Sequence, residues 1–148
     1  MATVINTKRV WLGALAGGIV FTVWAGIVES WILGRELYDR AGIFREDPRY
    51  GLFLPVLVLS FFVAAYALAW LYARVRAGMG PGPRTALTLG FWVGFIAGFP
   101  TNLGLAAWLE APRLLPLGWM LEVWVGCILA AWVVGWVYRE PAEAEPAR

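Results

Sequence analysis

Four apolar runs occupy most of the chain, at residues 11–33, 51–73, 86–109 and 114–138, and none of them contains more than one charged side chain. Each exceeds the roughly 20 residues a helix needs to cross a bilayer core. A hydrocarbon interior has no water to satisfy free backbone N–H and C=O groups. Runs of this length therefore call for helices that close their hydrogen bonds within each segment. The connectors are too short to fold by themselves. The expected fold is an all-α membrane protein, with one domain over residues 1–138 built as an antiparallel bundle of four transmembrane helices. Between the last two runs only residues 110–113 remain, which forces a hairpin.

Composition agrees, since 61% of the 148 residues are hydrophobic, 15% are charged, and mean hydropathy is +0.68. A soluble domain of this size carries far more charge. Lys8 and Arg9 ahead of the first run have the look of a signal peptide, but the run is longer than a signal core, and we read it as a retained helix.

The basic residues set the expected orientation. Lys8, Arg9, Arg74, Arg76, Arg84, Arg139 and Arg148 fall on one side, and Arg35, Arg40, Arg45, Arg49 and Arg113 on the other. The loop ARVRAGMGPGPRTAL has three arginines and no acid, whereas GRELYDRAGIFREDPRYG mixes four arginines with four acids. Both termini and the middle loop are therefore expected in the cytoplasm, with the protein a multi-pass component of a bacterial inner membrane. The tail at 139–148, rich in Ala, Glu and Pro with no apolar face, is expected to be flexible. In the first loop Leu37, Tyr38, Ile43 and Phe44 alternate with charges, which fits either a solvated connector or a short helix lying on the membrane surface.

Missing residue types narrow the chemistry. The chain has no histidine, and Cys127 is its one cysteine. Haem ligation by histidine, zinc and copper clusters, thiol redox pairs and a nucleophile with a histidine base all lack their parts. No metal, cofactor or nucleic-acid partner is expected. Cys127 reads as a small apolar filler. GMGPGPRTA lacks the lysine of a phosphate loop and reads as a turn, with Pro83 before the next helix and Thr85 as its N-cap.

Against this background the polar residues inside the apolar runs stand out. At about 1.5 Å per residue, Glu29, Ser60, Asn102 and Glu122 lie roughly 7 to 13 Å from helix ends on the same side of the bilayer. Gly90, Gly94 and Gly98 lead to Asn102 at four-residue spacing, and Gly118 and Gly126 flank Glu122 in the same way. Small residues so spaced mark faces where helices approach closely. Pro100 is expected to kink its helix beside Thr101 and Asn102. Glu29, Ser60, Thr101, Asn102 and Glu122 thus form a candidate polar pocket, unless the two glutamates separately reach for water.

Of ten tryptophans, Trp11, Trp31, Trp70, Trp108, Trp119 and Trp136 lie near run ends, as interfacial rings do. Trp24, Trp92, Trp124 and Trp132 lie deeper and are expected to fill space between helices.

The segments NTKRVWLGALAGGIV, GPGPRTAL and GWVYRE resemble an uncharacterised bacterial family of small four-span membrane proteins. The resemblance covers the two ends and the middle loop. It implies the four-span topology and supplies no catalytic residue.

Three functional readings follow. The first is a non-catalytic accessory or assembly subunit of a membrane complex, or a self-associating bundle, whose partners are lipids and other subunits or itself. The second is a small oligomeric transporter or channel that binds a proton or cation at Glu29 and Glu122. The third, ranked last, is a membrane enzyme using the carboxylates as acid and base.

Overall fold

Asn6 starts the first helix, its side-chain oxygen accepting a hydrogen bond from the Arg9 amide at 3.2 Å. The computed structural model describes residues 5–44 and 50–139, and all regular structure among them is helical. Helix α1 spans Thr7–Ile27 and runs into a wider π-helical stretch, Val28–Leu33. Helices α2 (Gly34–Ala41), α3 (Tyr50–Met79), α4 (Pro83–Trp108) and α5 (Leu114–Val137) follow. Four spans are long and apolar enough to cross a membrane: Thr7–Ala41, Gly51–Met79, Pro83–Trp108 and Leu114–Val137. The tail expected to be flexible lies outside the described residues from position 140 on, as do Arg45 and Arg49.

Two expectations need correction. The second long helix runs to Met79 rather than ending at 73, and carries Arg74 and Arg76 on its last turns. It stops where Gly80 takes φ +86°, a conformation open to glycine and strained for other residues. Thr85 is not the N-cap of α4: Gly82 holds that position and Pro83 is the first helical residue. The Thr85 hydroxyl instead donates back to the Gly80 carbonyl at 2.8 Å, which ties the turn to the helix it starts.

Helix α5 touches each of the other long helices, with small residues of its own facing α1 and small residues of α4 facing it. Toward α1, Gly126 receives the Phe21 ring and Gly118 the Leu33 side chain, while Ala130 packs on Gly17. Toward α4, the Cys127 and Trp124 carbonyls lie where only glycine leaves room. A Cβ at Gly90 would sit 2.7 Å from the Cys127 oxygen, and one at Gly94 2.8 Å from the Trp124 oxygen. Gly98 faces Met120 and Val123. Numbers along α4 rise as those along α5 fall.

The core between α1, α3 and α5 is built from Phe21, Ala25, Phe61, Ala65, Leu68, Cys127, Ala130 and Ala131. Phe21 and Phe61 stack with centroids 4.7 Å apart. One end of the bundle is tied by polar contacts. The Asn6 amide donates to the Tyr138 hydroxyl at 3.2 Å, and the Gly82 amide donates to the Tyr72 hydroxyl at 3.0 Å. Tyr72 and Tyr138 meet edge to face.

Substituting Gly94→Leu should force α4 away from α5, because its first added carbon already conflicts with backbone that cannot rotate away. Overpacking of this kind costs about 1–3 kcal/mol. Thermal unfolding in detergent should show a lowered midpoint, with Leu103→Ile on the exposed side of α4 as an inert control. An unchanged midpoint in Gly94→Leu would contradict the packing.

Candidate functional site

Glu29 owes its position to the π-helical stretch. The Gly34 amide bonds to the Glu29 carbonyl five residues back, where an α-helix would use a carbonyl four back. Val28 and Leu33, also five apart, are consequently both buried, and the chain beyond them is rotated relative to a regular helix. At Gly34 the backbone adopts φ +66° and ψ 156°, so the helix axis breaks and α2 leaves the line of α1. Leu37, Tyr38 and Ala41 of α2 pack back onto Val28, Leu33 and Leu115. Its charged side is exposed, with Arg35 paired to Asp39 and Arg40 to Glu36. Gly34–Ala41 of the first loop is thus a short helix.

This fold-back brings Tyr38 to Glu29. Nine residues apart, the two would face opposite sides of an unbroken α-helix. Here the Tyr38 hydroxyl donates to Glu29 Oε2 and accepts from Trp119 Nε1 at 3.0 Å. Glu122, buried on α5 one turn from Trp119, lies near Glu29. Phe44 closes the group, its ring 4.7 Å from Tyr38 and 6.2 Å from Trp119. Two carboxyl groups from separate spans, a phenol and an indole thus form one connected cluster near the Gly34 end of the bundle.

The donors set its polarity. Tyr38 has a single proton to give and gives it to Glu29, while the indole N–H is directed at the phenol oxygen. Tyr38 thereby joins an acid of the first span to an indole of α5. Among the described residues no group of three or more His, Cys, Asp and Glu is placed to hold a metal ion.

The other candidate pocket residues lie elsewhere. Ser60 is exposed and its hydroxyl donates to the Leu57 carbonyl of its own helix at 2.6 Å. It sits one position beside the buried line Phe61, Ala65 and Leu68, about 100° around the helix. Thr101 is exposed. Asn102 is buried, but its amide donates to the Gly98 carbonyl at 2.8 Å and so serves its own helix. Pro100, within α4, is exposed. Of the deeper tryptophans, Trp92 and Trp132 are exposed on the bundle's outside. Trp24 and Trp124 are half-buried, each with its indole nitrogen enclosed and without a hydrogen-bond partner. Sequence reasoning missed Tyr38 and Trp119 as members of the site. The available signal was the three-residue step from Trp119 to Glu122, which puts a donor on the same helix face as a buried acid.

By the length and composition of its helices, this is a protein of the multi-pass membrane class. No family model, no curated protein and no solved structure matches the chain.

Replacing Tyr38 by Phe removes a donor to a carboxyl group and leaves the Trp119 N–H without its acceptor. The expected cost is about 1–3 kcal/mol. Hydrogen exchange should quicken across Gly34–Ala41 while α4 and α5 keep their protection. Unaltered exchange in that stretch would mean that apolar packing alone holds α2.

Proposed function

We propose that this chain is a four-span protein of a bacterial cytoplasmic membrane, an antiparallel bundle with both termini in the cytoplasm, which binds a proton or cation at Glu29 and Glu122 as a small oligomeric transporter or channel. The observation that carries this reading is the bridge through Tyr38 from Glu29 of the first span to Trp119 of α5, one turn from the buried Glu122. Acidic side chains inside a membrane are costly, and those that persist commonly serve ion or proton paths. Phe21, Phe61, Ala65, Leu68 and Cys127 fill the axis between α1, α3 and α5. A path would therefore pass beside the pair or between copies, which favours an oligomer.

The orientation rests on charge. Lys8, Arg9, Arg74, Arg76, Arg84 and Arg139 belong to the helix ends joined through Asn6, Tyr72, Gly82 and Tyr138. No described carboxylate lies there, and an excess of basic residues favours the cytoplasmic side.

A second reading, an accessory subunit or self-associating bundle, is favoured by α3. None of its residues from Gly51 to Ser60 is buried. Leu52, Phe53 and Leu54, which point in three directions, are 60%, 63% and 48% exposed. Among the described residues little covers this half of the helix, as expected of a surface that meets another subunit.

Two experiments bear on these readings. With Cys127 replaced by Ala, single cysteines placed in the 78–83 loop and the 39–44 stretch should label from opposite sides of intact cells. Equal accessibility would exclude the topology. In liposomes, an imposed gradient should drive proton or cation flux through the wild type, and both Glu29→Gln and Glu122→Gln should abolish it. Absence of flux in the wild type, with a heteromeric native mass in mild detergent, would favour the accessory subunit.

A further inference from the structure

The two ends of the bundle carry charge differently. At the Gly34 end, Arg35 and Arg40 are each paired with an acid one helical turn away, and Glu110 lies in the same connector as Arg113. At the Asn6 end, Lys8, Arg9, Arg74, Arg76, Arg84 and Arg139 gather without any carboxylate among the described residues. The tail that follows brings Glu140, Glu143 and Glu145 together with Arg148, which leaves this end positive.

The arginines here are also held in place. The Arg74 guanidinium lies 4.1 Å from the centroid of the Trp70 ring, and Trp70 is itself exposed on the outside of α3. Arg76 lies 5.0 Å from the Tyr138 ring centroid, on the ring pair that joins α3 to α5. Stacking of this kind leaves the N–H donors of Arg74 around the rim of its guanidinium, in the plane that suits phosphate oxygens. Across the turn at 80–82, Arg84 is exposed on the first turn of α4. Among the described residues, Gly78, Gly80 and Gly82 have no other group within 4 Å of where a side chain would begin, so the turn beside Arg84 is uncrowded.

We propose that this basic end, centred on Arg74 and Arg84 around the 80–82 turn, binds the phosphate of anionic phospholipid headgroups. Lipid is the source the geometry favours, because Arg74 sits on an exposed tryptophan at the end of an apolar span, the level of the headgroups. The acyl chains would then lie along the exposed side of α3 below Trp70. The inference draws on the membrane-spanning architecture and is independent of any role for Glu29 and Glu122.

The test uses the full-length protein in mild detergent with equal amounts of phosphatidylglycerol and phosphatidylcholine of matched chains, counting retained lipids by native mass spectrometry. The wild type should retain phosphatidylglycerol in preference by roughly tenfold, and added salt should erode that preference. Arg74→Gln with Arg84→Gln should bring it close to parity, whereas Arg35→Gln with Arg40→Gln should leave it intact. Equal retention of both lipids by the wild type, or an equal loss in the Arg35/Arg40 variant, would overturn the proposal. Displacement by inorganic phosphate at constant ionic strength would do so too, by pointing to a soluble anion. Since the wild-type preference and its salt dependence need no substitution, the proposal stays open to refutation even if the double variant fails to fold.

Discussion

Close approach of α5 to its neighbours is the contact from which the rest of the bundle follows. Between helices in lipid there is little hydrophobic driving force, so association depends on many short-range contacts between well-fitted surfaces. Glycines on α4 let backbone meet backbone along Gly90, Gly94 and Gly98, while glycines on α5 admit the Phe21 ring and the Leu33 side chain from α1. The small residues thus do two jobs on opposite sides of one helix. On the α4 side they shorten the distance between axes. Toward α1 they make sockets for large side chains.

That second arrangement is also what allows a carboxyl pair. Glu122 sits between the sockets at Gly118 and Gly126, on the line that faces α1, and is covered as a consequence. A buried acid without partners would be expensive. Tyr38 supplies one to Glu29 and is itself held by Trp119, but only because the wider turn at Val28–Leu33 and the break at Gly34 bring α2 back over the end of the bundle. The site and the surface helix therefore stabilise each other. The apolar side of α2 covers the end of the core, and Tyr38 links that cover to the acids.

The two ends of the molecule solve the same problem by different means. One balances each arginine on α2 with an acid and closes with aromatic side chains over the glutamates. The other gathers cations and steadies Arg74 and Arg76 on Trp70, Tyr72 and Tyr138. Such an asymmetry suits a chain whose ends face different surroundings.

Apolar length alone determines the four spans, because backbone hydrogen bonds in lipid must close within a helix whatever the side chains are. The four-residue spacing of Gly90, Gly94 and Gly98 likewise marks a packing face from sequence, since spacing maps directly onto a helix surface. Ser60 illustrates where that map runs out: it lies at the right depth but about 100° from the buried line, and depth without rotation says nothing about which neighbour a residue meets. The hydrogen bond from Tyr38 to Glu29 was beyond reach for a related reason. A regular helix would turn Tyr38 away from it, and neither the extra residue in the turn at Val28–Leu33 nor the positive φ at Gly34 has a distinctive sequence signature. Sequence by itself determined which residues lie in the membrane-spanning helices and roughly how deep. Only the tertiary structure decided which polar groups meet, because that depends on helix rotation and on one local break in helical geometry, both set by packing between distant segments.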